Sequence, residues 1–527
     1  MRTRIALMLV AMLTLMLAWH PVYAGNAALP LPVRADGTVG AAGGSGGSYG
    51  GNPGTWYVGA TPPNADPTKP VLVFVHGKAG WAGQWWLETE YHGVNDMYAF
   101  AYNNGYRTAY VDLVPNATMW ENGALLRRQL DQITAHFGVE RVTVIAHSKG
   151  GVDANAASVF YGAGPKIQRV ITLGTPHWGT PVADLAYSNW AAWIAELLGE
   201  RTEGTYVMQT GYMRYFRSIA DGQDPALPYH TVAGYRCGPA FTALWLGCIA
   251  IAGEDDGLVP VWSARKPGAS HLAQGRWDHD EIRMGSRTWS TIAPVLQGAS
   301  TAGSAAAVTG SGPEPPGNLI LRGGTTAGEA PPAFPLESGV RSVTFTLLSS
   351  SQRLTGKLIG PDGEVDTVGM SRQVQASEPF GGAWMGTVKV TAPDPGLWRL
   401  QTSASEEAGY LLVAAVESDL RAAVQLGQKV ATPGQKQRVA IGFGAGRRPV
   451  ASQASAALNL NGGKPFATSL LSATGQGHAA DLLLPRTAGV YNATITVTGR
   501  LSDGTTFERT VVTSFAAVPP GQTGIWR

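Results

Sequence analysis

Cysteine is nearly absent from this chain: 527 residues hold two, Cys237 and Cys248. Two thiols cannot build a cysteine-rich zinc site, and they exclude a small disulfide-stapled scaffold. Charge is scarce and balanced, with 14% charged residues split between 39 Lys and Arg and 37 Asp and Glu. That excludes the electrostatic footprint of a nucleic-acid binder and the composition of a charged disordered scaffold. Long apolar runs are missing after the N-terminus, where none reaches the roughly 18–20 residues of a membrane span. The one early run, residues 5–18, follows Arg2 and Arg4 and ends on Val22-Tyr23-Ala24. Residues 1–24 therefore read as a signal peptide, and the chain is expected to be secreted, starting at Gly25 with no net side-chain charge. In an oxidising compartment, parity predicts a disulfide between Cys237 and Cys248.

What is abundant is apolar residues, 44% of the chain, together with 68 glycines. This length predicts about three domains. Residues 25–68, with Gly40-Ala-Ala-Gly-Gly-Ser-Gly-Gly-Ser-Tyr-Gly-Gly51 inside them, read as a flexible lead-in, because glycine offers little buried area against its ordering entropy. Over 69–298, apolar runs at 71–75, 106–111 and 141–146 alternate with an amphipathic helix at 123–137, the texture of a mostly parallel sheet with helices on both faces. An Ala/Gly/Ser/Pro-rich stretch at 299–338 reads as a linker. Short alternating runs and turns then predict two β-sandwich domains, Ig-like in texture, at 339–420 and 421–519. Gly396-Leu-Trp398 is echoed by Gly489-Val-Tyr491, as in related units.

The chemistry concentrates at Arg141-Val-Thr-Val-Ile-Ala-His-Ser-Lys-Gly-Gly151: a β-branched strand, a serine whose second neighbours are small, and a helix-compatible run. This is the pattern of a nucleophile elbow, in which a strained turn presents Ser148 at the edge of a sheet. A serine nucleophile needs a base and oxyanion donors. The turn Phe74-Val-His76-Gly77-Lys78-Ala79-Gly80 offers the backbone N–H of Lys78, and the residue after the serine offers that of Lys149. His76 is expected to brace this loop. Chain order asks next for an acid, then a histidine. Asp256 in Gly253-Glu-Asp-Asp-Gly257 is the first choice, with Asp255 and Glu254 as rivals and a solvated acidic turn or cation site as the plainer alternative. His279 in Trp277-Asp-His-Asp-Glu281 is preferred over His271 as base.

With His76-Gly77, Ala146-His-Ser-x-Gly-Gly151, Leu173-Gly-Thr-Pro-His-Trp-Gly-Thr180, Asp256-Gly-Leu-Val259 and Asp278-His279, residues 69–297 resemble the secreted bacterial lipases and esterases of the α/β-hydrolase superfamily. The resemblance implies an α/β-hydrolase fold, Ser148, Asp256 and His279 as nucleophile, acid and base, and a disulfide ahead of the acid. It implies a lipase acting on acylglycerol esters, at an interface where the lipid is insoluble, and needing no cofactor. Related lipases hold a structural calcium through an Asp two positions after the catalytic histidine; Glu281 stands there, and Gly285 stands where a glutamine is expected, so no metal is secured. Trp81, Trp85 and Trp86 suggest an apolar mouth for an acyl chain. Leu185, Trp190, Trp193, Ile194, Leu197 and Leu198, at near-helical spacing, sit where a lipase carries its lid. The alternatives are a polyester depolymerase or short-chain carboxylesterase whose β-domains adsorb to a surface or polymer, and, from another class, a non-catalytic surface-binding protein.

Overall fold

A computed structural model describes residues 29–35, 51–191, 201–223, 227–240, 242–251, 253–298, 317–326, 331–374, 380–444, 446–475 and 477–522. The predicted signal peptide, most of the glycine-rich run, and Trp193 to Leu198 of the lid expectation lie outside them. The apolar runs form fully buried strands: β3 (Leu72–Val75), β4 (Thr108–Val111) and β5 (Val142–His147). With β6 (Ile167–Leu173), β7 (Tyr229–Gly234) and β8 (Ser270–Gly275) they build the parallel body of an eight-stranded sheet, in the order β4-β3-β5-β6-β7-β8. The helix expected at 123–137 begins earlier, at Met119, because the Thr118 hydroxyl accepts the Glu121 N–H at 3.2 Å and caps it. Gly138, with φ 63°, ends it in the left-handed conformation.

The lead-in and linker expectations both need correction. Strands β1 (Val33–Arg34) and β2 (Trp56–Val58) add an antiparallel edge to the sheet from within 25–68. Buried Trp56 and Tyr57 supply the apolar area that the glycines around them lack. Within 299–338, Leu319–Thr325 and Ala333–Leu336 are strands, pairing with Gly409–Glu417 and Gly396–Ser403. Their apolar stretches are short and broken by Gly323-Gly324 or a proline, so no period shows along the chain.

The C-terminal half is antiparallel β-sandwich structure, but the division near 420 does not break its main sheet. The strand Thr506–Ala517 pairs with Gly489–Arg500 of the second unit, and its Thr510 also sits opposite Leu319 of the first. The same strand packs on the α/β half. Gly211 of helix Thr210–Ala220 lies so close that a Cβ there would fall 2.5 Å from the Phe515 backbone. Ser514 Oγ donates to Asp184 at 2.6 Å and accepts the Gly211 N–H at 2.7 Å. Burial raises the Asp184 carboxyl to about 6.

Arg509 and Glu337 form an ion pair with both side chains 0% exposed, tying Thr506–Ala517 to the strand ending at Leu336; one of its bonds, Nη1 to Oε2, measures 3.1 Å. Glu337 also accepts from Ser418 at 2.7 Å. Arg509→Met leaves that carboxylate buried without its cation and is expected to cost about 3–5 kcal/mol. Pairing it with Glu337→Leu recovers most of the loss. Urea midpoints of the single and double variants measure both.

Candidate active site

The strand β5 ends at His147, and Ser148 follows with φ 53° and ψ −134° before the helix Lys149–Phe160 begins. A non-glycine residue in this region is strained and persists only where its surroundings fix it. They do so here by close approach. A Cβ on Gly150 would lie 2.3 Å from the His76 carbonyl oxygen, and one on Gly77 would lie 2.7 Å from Ser148 Cβ. The Ser148 carbonyl accepts from Thr175 Oγ1 at 2.8 Å, which ties the turn to the end of β6.

Three loops at the carboxyl ends of parallel strands bring the remaining groups together, the usual place for a site in such a sheet. His279 Nε2 lies 2.9 Å from Ser148 Oγ, and its Nδ1 lies 2.8 Å from Asp256 Oδ2. The other Asp256 oxygen accepts the Leu258 and Val259 N–H groups at 3.0 and 2.7 Å. A backbone bond, His279 N to Asp256 O at 2.8 Å, couples the two loops directly. On the far side, His147 Nε2 donates to the His279 carbonyl at 2.8 Å. Gly174, φ 58°, makes room, since a Cβ there would stand 2.9 Å from Asp256 Oδ2.

The rivals are placed elsewhere. Asp255 accepts the Gly257 N–H at 2.8 Å, and burial, reinforced by the Asp256 charge, pushes its carboxyl up to about 8. Its carboxylate serves the Gly257 backbone, and His279 pairs with Asp256 instead. Glu254 bonds Gln274. His271, on β8, bonds Thr231 at 2.9 Å, and burial lowers it to about 4. His76 braces its loop: Nδ1 donates to the Gly77 carbonyl at 2.8 Å and Nε2 accepts the Leu113 N–H at 2.9 Å. The structure joins Cys237 and Cys248 in a disulfide.

Lys78 and Lys149 both border the pocket beside Ser148 and His279. The Lys149 side chain turns away into the core, where it is paired with Asp153 at 2.6 Å, so only its backbone is available to a substrate. The expected tryptophan mouth is not found. Trp85 packs on Phe74 and Trp86 on Tyr110, each with centroids 5.0 Å apart, beneath the sheet face. The apolar lining comes instead from Val182, Ala183, Ala186, Met208, Leu244 and Phe380. Leu185, part of the lid expectation, packs with Leu348 and Leu411 of the C-terminal half. Sequence reasoning missed Phe380 and Tyr91 in the pocket wall, because neither lies near a motif.

The carboxylates at and beside Glu281, the position where related lipases hold calcium, do not fit the ion. Asp278 and Glu281 are buried, but Arg236 reaches both carboxylates, Arg287 binds the free oxygen of Glu281 at 3.0 Å, and His92 lies 2.8 Å from Asp278. A hard cation asks for six to eight oxygen ligands, and these oxygens are already engaged by cations and N–H groups.

A strained serine at a strand-to-helix turn, bonded to a histidine that is bonded to an aspartate, defines a hydrolase-type site on a three-layer α/β fold. The chain is similar to the lipase BlEst2 of Bacillus licheniformis in propeptide form, at 30% identity over 88% of this chain and 97% of that one, with a TM-score of 0.70. The mature form of that lipase is 42% identical over 47% of this chain and 99% of its own, with a TM-score of 0.43. An esterase of Pyrococcus furiosus is 12% identical over 46% and 84%, with a TM-score of 0.30. No family model and no curated protein matches the chain. The chain belongs to the bacterial lipases and esterases of the α/β-hydrolase superfamily, and it is a carboxylic-ester hydrolase.

Burial, more than any other cause, lowers His76 to about 4 against 6.5 for the free side chain. Its contribution to stability is therefore complete above about pH 6.5 and is lost as pH falls towards about 4, because only the unfolded chain takes up the proton in that window. His76→Gln is expected to cost about 1–3 kcal/mol near neutral pH through the buried bonds it loses. It should also flatten the pH slope of unfolding free energy by about one proton, ~1.4 kcal/mol per pH unit. Urea titrations at about pH 7 and about pH 5 give both quantities.

Proposed function

We propose that the protein is an exported serine hydrolase that cleaves acylglycerol esters, with Ser148 as nucleophile, His279 as general base and Asp256 as its orienting acid. The observation that carries this reading is the unbroken chain Ser148 Oγ to His279 Nε2, 2.9 Å, and His279 Nδ1 to Asp256 Oδ2, 2.8 Å, beside an apolar pocket. His279 takes the Ser148 proton as Oγ bonds to the ester carbonyl carbon. The developing oxyanion faces the backbone N–H groups of Lys78 and Lys149. The proton then passes from His279 to the leaving alcohol; water, deprotonated by the same nitrogen, attacks the acyl carbon, and Ser148 Oγ leaves with that proton as the acid is released. The Asp256 carboxylate, bonded to His279 Nδ1, orients the ring and stabilises the imidazolium that forms. Export is supported by residues 1–24.

A second reading concerns the C-terminal half. Phe380 is 1% exposed, holds φ 61°, and stands in the wall of the Ser148 pocket. A strained aromatic from another part of the chain at that place supports a role for the β-domains as a cover over the acyl site. The likeness of 88% of this chain to a lipase solved in propeptide form supports this reading. Under the alternative of a polyester depolymerase or short-chain carboxylesterase, the β-domains serve as an adsorption surface and the pocket admits short acyl groups.

Rates on p-nitrophenyl esters from acetate to palmitate and on emulsified triolein separate these readings. Cleavage of long chains and triolein is expected, and Ser148→Ala is expected to lose at least about 10⁴-fold in kcat. An unchanged rate in that variant removes Ser148 as nucleophile, and activity confined to acetate and butyrate favours the short-chain reading. As a cover, Phe380→Ala is expected to raise kcat/KM for palmitate about tenfold or more while leaving acetate within about twofold. Equal effects on both esters refute the cover.

A further inference from the structure

The segment carrying His279 is held by charged groups in addition to the apolar packing of buried Ile282. Asp278, whose side chain is 0% exposed, accepts the N–H groups of Asp280 and Glu281 on Oδ1 at 3.1 and 2.9 Å, closing a turn around His279. Its Oδ2 meets His92 Nε2 at 2.8 Å and Arg236 Nη2 at 2.9 Å. The same Arg236 nitrogen contacts Glu281, whose side chain is 2% exposed. Asp280, beside them, pairs with Arg283 and accepts the Tyr91 N–H at 2.9 Å. Two adjacent buried carboxylates repel one another and resist burial unless a cation sits between them.

Arg236 is that cation, and its place is set by covalent and backbone constraints. It follows the end of β7, its N–H donates to the Trp277 carbonyl at 3.2 Å, and the next residue, Cys237, is locked to Cys248. The guanidinium is therefore delivered to the His279 turn from a neighbouring strand end. His92, Asp278 and Glu281 are the one group among the described residues whose ligand atoms lie near enough together, within 4.8 Å, to hold a metal. Arg236 lies against two of the three.

We propose that Arg236 is a positioning residue that does a divalent cation's work: it bridges Asp278 and Glu281, and so holds the turn that keeps the His279 ring between Ser148 and Asp256. This rests on the triad reading above. Removing the guanidinium frees Asp278 Oδ2 and Glu281 Oε2 beside His92 while Arg287 still holds Glu281 Oε1, which leaves one ligand atom from each of the three for a metal, so the protein should exchange one cation for another.

The test compares wild type, Arg236→Met and Arg236→Lys, with Ser148→Ala alongside. In wild type, neither EDTA nor equimolar zinc is expected to change ester hydrolysis or Tm. Arg236→Met is expected to lose about 10-fold to 100-fold in kcat, the scale of a misplaced catalytic group, with KM within about twofold. Zinc, which takes histidine and carboxylate ligands, should then raise its Tm and recover part of kcat, and Arg236→Lys should restore most of the loss without zinc. A wild type that loses activity to EDTA or gains Tm with zinc overturns the inference, and this arm needs no variant to fold. An Arg236→Met protein with wild-type kcat, or one whose Tm ignores zinc, overturns it as well. A Ser148→Ala protein that keeps its rate sinks the triad reading instead, so the two failures are distinguishable.

Discussion

The site depends on one steric constraint: the approach of the turn after β3 to the turn after β5. Gly77 and Gly150 leave no room for a Cβ between the two backbones, and that crowding keeps Ser148 at φ 53° with its hydroxyl directed to His279. Everything else at the site is arranged around this fixed point. The Lys78 and Lys149 backbones border the space in front of the serine, and the acid and base loops arrive at the same sheet edge from the ends of later strands. The strain is local, but the packing that sustains it comes from strands distributed over the whole sheet.

The loops that carry Asp256 and His279 are anchored by polar bonds more than by apolar contacts. Their mutual backbone bond, the His147 contact to the His279 carbonyl and the arginine-bridged carboxylates leave the ring little freedom. Such an arrangement suits a base that must face two partners at once, because each hydrogen bond limits rotation as well as position. The raised carboxyl of Asp255 next to Asp256 fits the same logic: burial and the neighbouring charge both disfavour a second ionised carboxylate there.

The C-terminal half is bound to the hydrolase sheet through a polar seam. Ser514, Asp184 and Thr210 bond one another across it, Asn492 donates to Gln209 Oε1, and Asn459 donates to the Tyr187 carbonyl. Breaking such buried polar bonds is costly, so the seam favours one docking geometry. That geometry sets Phe380 into the pocket wall and brings Arg372 over the Tyr91 ring, 5.6 Å from its centroid. The hydrolase site is thus partly built from residues of the β-domains.

By itself the sequence determined the parts whose physics is local. The β-branched runs specify buried strands wherever they pack, and small residues two places on either side of Ser148 are required by the turn itself. Chain order brought Asp256 and His279 forward as partners, and two cysteines admit only one intramolecular pairing. Tertiary structure alone decided which aromatic side chains face the site. Trp81, Trp85 and Trp86 lie close to the oxyanion turn in sequence, yet Trp85 and Trp86 are spent on packing against Phe74 and Tyr110, while Phe380 arrives from a distant sheet. The same holds for the short strands at 33–34, 319–325 and 333–336, whose pairing partners lie far along the chain. It holds equally for Arg236, an unremarkable residue in sequence, whose charge acquires a role only where folding buries two carboxylates against it.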